Sequence, residues 1–158
     1  MQNTLTTLIE RQALRNPDRE AYFTRRPGSA EWQPTTWHTF ADNVGAAACA
    51  LEILGLEPQQ ILTIFSANRE EILTADFGAY ANRGIPGSLY ATSSLEQVEY
   101  ILNDTRAAII FTGDAKQYAI ARSAMAKCPT LRQIITFDSS VTPDADDTTT
   151  MTFDAFIA

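Results

Sequence analysis

The chain is poor in the residues that build most catalytic and metal centres. It has one histidine, His38, and two cysteines, Cys49 and Cys128. A structural zinc site takes four Cys- or His-type ligands, and no such set exists here. A Ser-His-Asp or Cys-His unit needs a histidine base oriented by a third group. His38 lies in Thr36-Trp37-His38-Thr39, at a strand-to-helix junction, and reads as an exposed or capping side chain. The cysteines are far apart and form no C-x-x-C pair. Cys49, inside Ala46-Ala47-Ala48-Cys49-Ala50, reads as a small apolar residue. This usage fits a reduced, cytoplasmic protein better than a disulfide framework.

Long apolar runs are also missing. None approaches the roughly 20 residues that span a bilayer. Met1-Gln2-Asn3-Thr4 is not the start of a basic-then-apolar signal segment. Positive charge is scarce: 12 Lys and Arg stand against 19 Asp and Glu, for a net charge of −7. That argues against a nucleic-acid surface, which clusters cations to neutralise phosphates. The pair Arg25-Arg26, beside Pro27-Gly28, reads as a solvated turn. Asp144, Asp146 and Asp147 fall in a Pro- and Thr-rich stretch without the Gly and Glu of a calcium loop, and read as a solvated charge run.

What is present is a core-forming composition, 45% hydrophobic, ordered into a regular alternation. Leu5, Leu8, Ile9 and Ala13 recur at helical spacing up to Asn16-Pro17. Ala21–Thr24 and Trp32–Trp37, joined by the Pro27-Gly28 turn, predict a short hairpin. Pro34 marks the second strand as an edge. Phe40, Val44, Ala47, Ala48, Leu51 and Leu54 form a helical stripe, with Thr39 as its cap and Gly55 at its end.

Four short apolar runs follow: Ile61–Phe65, Ile85–Tyr90, Ala107–Phe111 and Leu131–Phe137. Helical segments separate them. The first of these helices has a capping-type start at Asn68-x-x-Glu71. The second starts at Ser93-x-x-Glu96 or Ser94-x-x-Gln97, and Leu95, Val98, Ile101 and Leu102 form its buried face. A β-α-β-α-β-α-β order implies an α/β fold with an open, mainly parallel sheet and helices on both faces. Residues 138–150 read as a loop, and 151–158 turn apolar again. The whole of 1–158 reads as a single module.

Open parallel sheets carry their sites at the carboxyl ends of the strands. The exits Ser66-Ala67-Asn68-Arg69, Ala91-Thr92-Ser93-Ser94 and Thr112-Gly113-Asp114 match neither G-x-G-x-x-G nor G-x-x-x-x-G-K-[ST]. The helix start at Thr92–Ser94 is the best anion candidate, and a cap alone also explains its hydroxyls. Asp76, amid Leu73, Phe77 and Tyr80, reads as a charge on a helix face. These residues alone yield an α/β module without a complete catalytic site, which leaves a stand-alone interaction module open.

Three segments resemble the adenylate-forming superfamily. Thr35-Thr36-Trp37-His38-Thr39-Phe40 is similar to its "T-Y/W-x-E-L/F" entry. Phe65-Ser66-Ala67-Asn68-Arg69-Glu70-Glu71, with Gly78 through Gly87 downstream, resembles "S-x-N-x-x-E … A-x-x-x-G-x-x-P". Leu89 through Asp104 is close to the "I-Y-x-T-S-S-x-E-Q-V-x-Y-I-L-N-D" of long-chain acyl-CoA synthetases. The resemblance runs along essentially the whole chain but matches the front of a much longer family member. It implies a parent enzyme that joins a fatty acid to coenzyme A. The carboxylate attacks the α-phosphate of Mg-ATP, giving acyl-adenylate and pyrophosphate, and the coenzyme A thiolate then displaces AMP.

The family's lysine-bearing phosphate loop is expected beyond residues 151–156, so this chain by itself is expected to bind neither ATP nor Mg2+ and to be inactive. In related acetyl-CoA synthetases the coenzyme A nucleotide touches a loop matching Ala91-Thr92 and two arginines after the next strand. Those arginines match Tyr118 and Ala121 here, with Lys116 and Arg122 nearby. The resemblance therefore implies Thr92, Lys116 and Arg122 as cofactor-binding candidates. For the parent it leaves peripheral membrane contact and a homo-oligomer open.

Overall fold

The computed structural model describes residues 4–25, 28–143 and 147–158. Arg26, Pro27, Asp144 and Asp146, named above for a turn and a charge run, lie outside the described residues.

Helix α1 (Leu5–Arg15) opens with a Thr4–Thr7 capping box and ends at Asn16. Of its apolar stripe only Ile9 is buried, while Leu5 and Leu8 stay about half exposed. Strands β1 (Glu20–Thr24) and β2 (Gln33–Thr36) form the antiparallel hairpin. The second strand stops one residue short of Trp37, because Thr36 rather than Thr39 caps α2 (Trp37–Ile53): the Thr39 amide donates to Thr36 Oγ1 at 3.2 Å. Gly55 follows with φ +74°, the left-handed conformation glycine adopts at low cost.

The main sheet has five parallel strands in the order β4-β3-β5-β6-β7. They are β3 (Ile61–Phe65), β4 (Ile85–Leu89), β5 (Ile109–Thr112), β6 (Gln133–Thr136) and β7 (Thr150–Thr152). The four apolar runs predict four of them. Asp138–Thr150 reads as a loop, yet Val141 is buried and Thr150 begins β7 against Ile134. A three-residue Thr-Met-Thr strand has no periodicity of its own, and its pairing comes from β6.

Side chains alternate across the sheet, as the pleat requires. Leu62, Ile64, Ile109, Phe111 and Ile135 point to one face, where they meet Ala47 and Leu51 of α2, Ala75 and Ala79 of α3 (Glu70–Ala81), and Phe153 and Phe156 of α6 (Phe153–Ile157). Phe65, Ile110 and Ile134 point to the other, against Val98 and Leu102 of α4 (Leu95–Thr105) and Ala121 and Ala124 of α5 (Ala115–Met125). Helices therefore cover both faces. Helix α4 begins with the Ser94–Gln97 box. Helix α3 does not use Asn68. Its N-cap is Arg69, with no side-chain cap bond, and Glu70 and Glu71 supply the negative charge its first turn favours. Cys128 is buried, but Cys49 is exposed on α2, so the alanine-rich context misjudged it.

Candidate functional site

Chain order reverses across β3 and β5: β3 leads out to β4 on one side, and β5 leads to β6 on the other. This is a topological switch point, where open α/β sheets form a crevice beyond the strand ends. A cleft of ≈ 890 Å³ lies there, between the exits of β3, β5 and β6.

Arg69 fills its floor. The guanidinium donates from Nε and Nη2 to the two Glu71 carboxylate oxygens, at 2.8 and 2.6 Å. Nη1 donates to the Gly113 carbonyl at 2.9 Å, and Nη2 reaches the Phe137 carbonyl at 3.4 Å. The same group stacks 5.1 Å from the Phe137 ring centroid. The hydrogen bonds to Glu71 raise the Arg69 pKa further, against a smaller opposing effect of burial. One side chain thus ties three strand exits together, with its charge-assisted bonds spent on the protein itself. Around it stand Glu70, Glu71, Asp114 and Asp154, against Arg25 and Arg69. That excess of carboxylates disfavours a polyphosphate.

A second tie lies beside it. Gln117, 3% exposed, donates from Nε2 to the Ala91 carbonyl at 2.9 Å and accepts from the Gly113 amide at 3.0 Å. Its own amide is capped by Asp114 at 2.7 Å. No sequence signal singled out Arg69 or Gln117. The Arg69-x-Glu71 spacing was legible, but their other partners lie far away in the chain.

The three cofactor-binding candidates divide. Thr92, in the turn after β4, and Lys116, in the first turn of α5, are exposed at the carboxyl end of the sheet. Each is a chain neighbour of a residue in the Gln117 clamp. Arg122 lies about 9 Å further along α5 and about 120° round it. There it faces Asp147 at 3.6 Å and Thr149 Oγ1 at 3.4 Å. The Asp147 side chain is 2% exposed. Burial pushes its carboxyl up, and hydrogen bonds from Thr149 together with the Arg122 charge overcome that and hold it below its usual value.

His38 is exposed and 3.5 Å from Asp42. Asp76 is half-buried on α3, and burial pushes its carboxyl up to about 6. Among the described residues no group of three or more His, Cys, Asp or Glu side chains is placed to hold a metal ion, and no helix is long and apolar enough to cross a membrane.

Comparison with known proteins decides the lineage. The sequence pattern of the AMP-binding enzyme family matches residues 9–156. The chain belongs to that family. Over 104 residues, 66% of this chain, it is 31% identical to the long-chain-fatty-acid–CoA ligase FadD15 of Mycobacterium bovis, covering 17% of that protein. An uncharacterized protein of Mycobacterium tuberculosis is 29% identical over 107 residues, 68% of this chain and 59% of that one. The acetoacetyl-CoA synthetase of Streptomyces lividans shares the fold, with a TM-score of 0.83 and 21% identity over 97% of this chain and 24% of that one. The α/β core described above thus matches part of an adenylate-forming enzyme, and the chain spans about a sixth of the ligase it resembles.

Proposed function

We propose that this chain is the front portion of the AMP-binding domain of a cytoplasmic, AMP-forming acyl-CoA ligase, and that the complete enzyme converts a long-chain fatty acid, ATP and coenzyme A to acyl-CoA, AMP and pyrophosphate. The carrying observation is the family match over residues 9–156 together with the likeness to a long-chain ligase. The residues present do not suit ATP or Mg2+. The switch-point crevice is lined by an excess of carboxylates, and its Arg69 is engaged with Glu71 and two carbonyls. The groups for adenylation therefore belong to the rest of the enzyme, and the 158 residues alone are inactive. Thr92 and Lys116 offer an exposed hydroxyl and ammonium for the phosphates of coenzyme A. Arg122 joins them only by leaving Asp147.

The test is pyrophosphate release by the product of the full reading frame, offered acetate, octanoate, palmitate, aryl acids and amino acids in turn. Release with palmitate is expected. Release with amino acids alone would rule out acyl-CoA synthesis while leaving adenylation standing.

A second reading is a non-catalytic interaction module. It is favoured by the uncharacterized mycobacterial relative, of which the match covers more than half. A reading frame that continues into a Ser/Thr/Gly-rich lysine loop decides for the ligase, and a stop codon after Ala158 decides for the module.

A further inference from the structure

We propose that Gln117 is a positioning residue for the thioester-forming half of the reaction, its buried amide setting the Thr92 loop against the first turn of α5. The inference rests on the ligase reading above. Its own ground is geometric. Strands β4 and β5 are not neighbours, since β3 lies between them, so no ladder bond joins the loops that leave them. The Gln117 side chain spans that gap, donating to Ala91 and accepting from Gly113. Side chains crowd the β5 exit: a Cβ at Gly113 would lie 2.6 Å from Gln117 Oε1 and closer still to Ser66 Oγ.

A buried amide engaged at both ends is costly to release: the Ala91 carbonyl would lose its Gln117 donor, while the Gly113 amide would keep only its second acceptor, the Phe65 carbonyl. Thr92 directly follows Ala91, and Lys116 directly precedes Gln117. The clamp therefore fixes the backbone that carries Thr92 relative to the backbone that carries Lys116. It touches no group assigned to adenylation, so the two half-reactions should respond separately.

Full-length Gln117→Met and Gln117→Glu variants test this. Two quantities are read: fatty-acid-dependent exchange between ATP and pyrophosphate, which needs no coenzyme A, and the KM for coenzyme A in the complete reaction. The expected result for Gln117→Met is a KM raised about tenfold or more, as for a misplaced binding group, with exchange within about twofold of wild type. In Gln117→Glu the carboxylate still accepts from Gly113 but turns a bare oxygen toward Ala91. Burial raises a glutamate pKa, and protonation restores the missing donor, so the KM penalty should shrink as pH falls toward about 6.

An unchanged KM in both variants overturns the proposal. So does a parallel loss of exchange and coenzyme A turnover, or failure of both variants to fold, since each marks a purely structural role. Wild-type protein that shows no exchange with any carboxylate instead removes the ligase reading, and this inference with it.

Discussion

Gly78 of α3 lies directly against Ala47 of α2: a methyl group at Gly78 would sit 2.7 Å from the Ala47 Cβ and 3.2 Å from the Ala47 carbonyl carbon. Ala47 is fully buried, and the obstruction includes backbone, so it cannot swing aside. In an unobstructed helix, Gly→Ala would gain about 1 kcal/mol from propensity. Here overpacking, typically about 1–3 kcal/mol, wins. Gly78→Ala is expected to lower the urea midpoint and Gly78→Val to lower it further. A more stable Gly78→Ala protein would show that the two helices can separate freely.

Asp76 predicts an inverted pH response. Its folded pKa, about 6, lies above the ordinary 3.8 because of burial. Between those values the native state holds more of this proton than the unfolded chain does, so this residue's share of stability is full below pH 3.8 and is lost as pH rises through about 6. Asp76→Asn should therefore melt higher than wild type at pH 8, and the gap should close toward pH 4. Thermal melts across that range check it, and a gap that widens in acid refutes the sign.

The Arg122–Asp147 pair predicts the opposite. With its pKa depressed, Asp147 contributes stability that is present above the ordinary carboxylate pKa and lost as pH falls through its folded value. Arg122→Gln leaves a buried carboxylate without its cation. A cost of about 1–2 kcal/mol at pH 7 is expected, reduced from the fully buried case because the arginine is partly exposed. Denaturation at pH 7 and pH 3 should show that cost shrinking in acid.

Arg69→Lys should behave as a damaging change. An ammonium cannot reproduce the two-pronged contact with Glu71 or the stacking on Phe137. A loss of about 2 kcal/mol is expected by urea denaturation, with faster amide exchange at Gly113 than in wild type. Equal stability of the lysine variant would mean that the strand exits are held by other contacts.

Much of the fold was legible because it rests on local signals. The nearly continuous apolar run Ile61–Phe65 reports burial on both faces of a strand, and Ser94-x-x-Gln97 is a box that the backbone uses as written. The misses are places where a distant partner decides. Thr36 and Thr39 are both able to cap α2, and the choice follows where β2 stops. Strand β7 exists because β6 offers it an edge. Arg69 meets carbonyls 44 and 68 residues away, and Gln117 meets one 26 residues away. No sequence window contains such encounters, so the ties among the strand exits leave no motif in the sequence.

Phe153 and Phe156 have a consequence for biosynthesis. They close an aromatic cluster with Phe111 and Phe137, with ring centroids 5.1–6.4 Å apart. A nascent chain lengthens by about 5–20 residues per second. While Asp138–Thr149 is being made, the sheet through β6 is already complete in sequence, but Phe111 and Phe137 still lack the rings that cover them. That face of the sheet therefore stays half-roofed until Phe153 and Phe156 have themselves left the ribosome's exit tunnel. A pause after Phe137 emerges and before Phe153 does would lengthen the exposure.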